Sequence, residues 1–180
     1  MKTLETQAAA QIMAATQDVL EQGLTLLAGM DAKLYAQVAE EPFGASVGGH
    51  YRHVLDHFLC AAAGLAEGRI DYDHRSRNRE LETSKDCAEQ MSTMLIQSFR
   101  ALKSNEIDRV CEVVYSVGYS ADGPTHLPSS FVRELAFCVS HAIHHFAIIK
   151  LICAHLSVPV KAEFGVAPST LRYRGAQAAS

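Results

Sequence analysis

From Glu5 to about Met30, apolar residues recur at three- and four-residue steps (Ile12, Val19, Leu20, Leu24, Leu27) amid alanine and glutamine, the spacing that lines one face of an amphipathic helix. The same periodicity predicts a second long helix from near Val47 to Gly68, with Ser46 as its N-cap. A third, SKDCAEQMSTMLIQSFRALK, is capped by Thr83 or Ser84 and ends near Ser104 and Asn105. A fourth, FVRELAFCVSHAIHHFAIIKLICAHL, follows a cap at Ser129 or Ser130 and is apolar on nearly every side, as a central helix is. Between the first two lies a shorter helical piece, DAKLYAQVAE, which Pro42 and the glycines after it break.

The remaining stretches lack that period. IDYDHRSRNRELETS (70–84) is dense in charge and reads as a surface loop. Residues 110–120, VCEVVYSVGYS, are β-branched and aromatic, and ADGPTH supplies turn residues before LPSS, so a short β-hairpin is expected there. The tail, residues 158–180, is expected to be extended and packed over the helices, with the last few residues frayed. Four apolar stripes must bury one another, which predicts an all-α four-helix bundle with a β-hairpin insertion before the last long helix, forming a single domain over residues 1–180.

Composition narrows the functions. With 48% hydrophobic residues among 180, the chain can build a real core. A net charge of −4 with interspersed signs offers no basic stripe, so nucleic acid is not an expected partner. No uninterrupted apolar run reaches the ~20 residues that span a bilayer. MKTLETQAAAQ also lacks a signal-peptide layout, so no membrane partner and a cytoplasmic location are expected. Five scattered cysteines without a C-x-x-C pair suggest buried, reduced thiols.

Six of the nine histidines fall in two short runs, HYRHVLDH (50–57) and HAIHH (141–145). On a helix, His50, His53 and His57 stack on one face, near Val54, Phe58 and Leu65. His141 and His145, four apart on the fourth helix, can converge on one ion, while His144 sits to one side. An unpartnered buried imidazole costs about 1–3 kcal/mol, so several together require a shared partner. A divalent ion such as zinc, nickel or iron supplies one, because neutral imidazole suits all three. His74, His126 and His155 lie outside both runs and read as surface or packing residues.

The segments SVGGHYRHVLDH (46–57) and SHAIHH (140–145) resemble the two signature regions of the DinB-like superfamily, and the resemblance covers most of the chain. It implies a metal-binding bundle of up-down-down-up topology that is usually homodimeric. The ion is held by one histidine of the second long helix and an H-x-x-x-H pair of a later one. Anchored on Ser46, the pattern assigns the ligands to His53, His141 and His145, with His50 as the alternative on the second helix. Relatives include thiol-dependent transferases and isomerases and the metal-binding domain of ergothioneine-pathway sulfoxide synthases. The resemblance thus implies a metal-dependent enzyme of transferase, isomerase or hydrolase type acting on a small molecule, with a low-molecular-weight thiol as a partner. The alternative is a non-catalytic, stress-associated protein with a structural ion. In the enzyme reading Asp56, His57, His50 and His144 orient ligands or shuttle protons, and Arg75, Arg77 or Arg172 holds an anionic group.

Overall fold

The computed structural model describes residues 2–40, 44–119 and 123–178. The expected helix break at Pro42, part of the expected turn (Ala121 and Asp122) and the last two residues of the tail lie outside them. In chain order the elements are α1 (Lys2–Ala28), α2 (Ala32–Ala36), α3 (Val47–Glu67), β1 (Arg69–Asp71), α4 (Arg79–Thr83), α5 (Lys85–Ala101), α6 (Ser104–Ile107), β2 (Val110–Tyr115), β3 (Thr125–Ser130), α7 (Phe131–His155) and α8 (Pro168–Ala178).

Serine caps start three of the long helices. Ser46 Oγ accepts from Gly49 N, Ser84 Oγ from Cys87 N and Ser130 Oγ from Arg133 N, each satisfying an amide that the first helical turn leaves open. α1 packs on α5 and α7, and α3 packs on α7 and α5. Between them lie Leu20, Leu27, Tyr51, Leu55, Phe99 and Phe146, all buried. These side chains make one core, and the apolar stripes of the four long helices face it.

The all-α class, a four-helix bundle of up-down-down-up topology with only a hairpin inserted, is corrected by a three-stranded mixed sheet. β2 and β3 pair antiparallel, and β1 adds to the other edge of β2 in parallel, with Arg69, Ile70 and Asp71 opposite Glu112, Val113 and Val114. The cause lies at the end of α3. Gly68 takes a left-handed φ of 74°, which terminates the helix and turns the chain straight into β1, where Ile70 becomes fully buried. Three residues flanked by charge are too few to show a two-residue alternation.

The presumed surface loop also contains α4, capped by Asn78. Its backbone crosses α3 so closely that a Cβ at Gly48 would overlap the carbonyl oxygen of Glu82. Tyr35 Oη donates to the Leu81 carbonyl oxygen at 2.5 Å and ties α4 to α2. The tail differs from the expected extended segment as well. Val158 and Phe164 pack into the core, but Pro168–Ala178 is helical and buries none of its side chains.

α7 is long and apolar enough, by length and composition, to cross a membrane, and among the described residues it alone has that character. Leu135, Cys138, Ala142, Phe146, Ile149 and Ile152 are buried along it, and 33% of its most apolar window is buried in all. The cysteines are free thiols; Cys111, Cys138 and Cys153 are buried and Cys60 and Cys87 half-buried.

Candidate metal centre

α3 and α7 make the most extensive helix pairing in the molecule, and both histidine runs face that seam. His53 Nε2 lies 2.9 Å from His141 Nε2, and His50 Nδ1 lies 2.9 Å from His145 Nδ1. The ring of His53 is 4.5 Å from that of His145, and the His141 and His145 rings are equally spaced. His53, His141 and His145 each offer one ring nitrogen within 4.8 Å of the others. The two runs therefore meet.

The donor set suits an ion. A tetrahedral site with Zn–N bonds of ~2.1 Å needs nitrogens about 3.4 Å apart, so the three rings require only small adjustments. Ligation also needs imidazoles without a proton on the donor atom, and the surroundings favour this form. Burial, with the neighbouring His57, His145 and His141 next in effect, lowers the His53 pKa to about 3. Burial, then His141 and His50, lowers His145 to about 3. Burial, then His57 and His144, lowers His141 to about 4.

His57 lies at the inner end of the cluster. Its Nδ1–H donates to the carbonyl oxygen of His53 at 2.8 Å, which leaves Nε2 as the acceptor. Its ring is 4.2 Å from that of His141. Burial lowers its pKa despite that bond. His50, at the outer end, is half-buried, and burial followed by His144 lowers its pKa. His144 is exposed, its ring edge-on to His145.

Asp56 is buried, but its partners are Arg52 Nη1 at 2.7 Å and Ser76 Oγ at 3.5 Å. Among the described residues its hydrogen bonds reach no imidazole; it anchors Arg52, which also binds Glu82 at 3.0 Å. His74 pairs with Asp71 and His126 with Glu112 on the exposed surface, away from the cluster.

Two neighbours, Tyr72 and Phe137, escaped sequence reasoning, and a third, Arg75, was expected only as one of three candidate holders of an anionic group. Tyr72 stacks on His57 with ring centres 5.3 Å apart, and its hydroxyl donates to the buried Glu134 at 3.1 Å. Phe137 stacks on His141 at 5.5 Å. Arg75 sends its field onto His53, His57 and His141, adding to the depression of each pKa. Phe137 was legible in principle, one helical turn before His141. Tyr72 carried no signal, and nothing in the sequence set Arg75 beside the histidines, because only the β1 pairing fixes where their loop runs.

A cavity of about 410 Å³ reaches the cluster from outside, lined by Gly49, His50, Arg52, His53, Glu82 and His145. Fold and site together define a largely helical protein with a small mixed sheet and a cluster of three half-buried histidines able to bind a metal ion. No family model matches the chain. A curated protein of Rhizopus delemar, FK506-binding protein 5, is 34% identical over 104 residues, or 58% of this chain. The chain spans 27% of that protein's length.

Proposed function

We propose that this chain is a metal-dependent enzyme whose divalent ion is held by His53, His141 and His145, with the cavity beside His50 as the approach for a small molecule. The observation that carries the reading is the convergence of three ring nitrogens from two helices within 4.8 Å. The resemblance of residues 46–57 and 140–145 to the DinB-like signature regions supports it, and suggests zinc, nickel or iron as the ion and a low-molecular-weight thiol as a partner. An ion with an open position supplies Lewis acidity and lowers the pKa of a coordinated water or thiol.

The chain's own residues supply the rest. His57 holds the His53 carbonyl, stacks on Tyr72 and meets the His141 ring at a tilt, so it keeps the His53 turn and the ring of His141 in register. His50 borders the cavity and contacts His145, where an imidazole can accept or return a proton. Phe137 and Tyr72 pack against each other beside His57 and His141.

A second reading has one specific support. His50 Nδ1 lies within hydrogen-bond distance of His145, so a small shift makes it a fourth ligand and closes the sphere around a structural ion. X-ray absorption on the zinc- or nickel-loaded protein separates the two readings. Three imidazoles plus an exchangeable oxygen or sulfur donor support the enzyme; four imidazoles, with no chelator-sensitive turnover on thiol and electrophile panels, support the structural ion.

A further inference from the structure

Arg75 is the one described residue with a buried side-chain nitrogen, Nε, that lacks any hydrogen-bond partner. Among the described residues no hydrogen bond or ion pair reaches the rest of its guanidinium either. A guanidinium carries five donors and stays charged, so leaving it half-buried and unpaired is costly unless an acceptor arrives.

Its location says where that acceptor belongs. The loop carrying Arg75 is pinned on both sides to the turn of α3 that bears His53 and His57. Tyr72 stacks on the His57 ring, and Ser76 Oγ bonds Asp56. Asp71 Oδ1 accepts from the amides of Asp73 and His74 and folds the loop back over α3. The buried acid on this stretch of α3, Asp56, is engaged by Arg52 and Ser76, and among the described residues no ion pair joins it to Arg75. Three neutral imidazoles likewise bring no negative charge to offset a divalent ion.

We infer that Arg75 is the binding residue for an oxyanion, a carboxylate or phosphate group of a small ligand seated against the histidine cluster. The guanidinium fork takes such a group through paired N–H donors. The inference rests on the metal reading for its full form, since ion and guanidinium together make the site strongly cationic.

The test compares wild type, Arg75→Gln and Arg75→Lys in the full chain. In the cobalt(II)-loaded protein, acetate titrated against the visible bands reports anion binding. Arg75→Gln is expected to weaken acetate by tenfold or more, with part of the loss restored in Arg75→Lys. Cobalt itself is expected to bind Arg75→Gln as tightly as wild type or tighter, because a repelling charge is gone; a variant that merely misfolds shows the opposite. In the ion-free protein, succinate and inorganic phosphate are each expected to raise the Tm of wild type but not of Arg75→Gln, and the more effective of the two identifies the group. Failure of cobalt to bind overturns the metal reading and leaves the Tm comparison to judge Arg75. Equal anion responses in wild type and Arg75→Gln, or no response in either, overturn the inference.

Discussion

The Nε2 atoms of His53 and His141 lie 2.9 Å apart across the α3–α7 seam, although 88 residues separate them in the chain. Without an ion, one of the two nitrogens must carry a proton and donate to the other. With both rings neutral, a cation displaces that proton to the far side of its ring rather than into solvent.

Metal binding at pH 6 is therefore expected to release almost no protons from the three ligands, whose pKa values lie at about 3 to 4. Ordinary histidines with pKa ≈ 6.5 would release about two. Calorimetric titration of zinc in buffers of different ionisation enthalpy reads the number directly.

The same shifts set the stability of the ion-free protein. Because the folded values are depressed, the unfolded chain takes up protons first as pH falls, and stability declines from about pH 6.5 toward the folded values near 3 to 4. Above pH 6.5 both states are neutral at these sites and the effect vanishes. Thermal unfolding is expected to show Tm falling through that window in wild type and a flatter profile in a His53→Ala, His145→Ala double variant.

Asp56→Asn is expected to cost about 2 kcal/mol in denaturant unfolding, because it weakens a buried partner of Arg52, which Glu82 still holds. Metal stoichiometry is expected to stay unchanged. A loss of metal would mean that Asp56 orients a ligand after all.

Gly48→Ala is expected to destabilise the protein by about 2–3 kcal/mol, since α4 backbone occupies the space that a Cβ needs. Equilibrium unfolding in urea gives the value.

Much of this was legible because helices write their faces into the sequence. The caps at Ser46 and Ser84, the stacking of His50, His53 and His57, and the pairing of His141 with His145 all follow from helical spacing. What stayed hidden depends on contacts between distant segments. Arg69–Asp71 is a strand only because Glu112–Val114 lies beside it. Tyr72 and Arg75 approach the cluster only because that strand turns their loop back over α3. Spacing also could not choose among three stacked histidines; the close approach of His53 to both His141 and His145 separates it from its neighbours.

The central claim is that His53, His141 and His145 grip one cation, and elemental analysis of the chain purified without an affinity tag tests it most directly. The account predicts one equivalent of a divalent metal in wild type and in His144→Ala, and near none in His53→Ala or His145→Ala, with all four proteins folded by circular dichroism. Wild-type protein that takes up no metal, or His53→Ala and His145→Ala variants that keep it, would contradict the account.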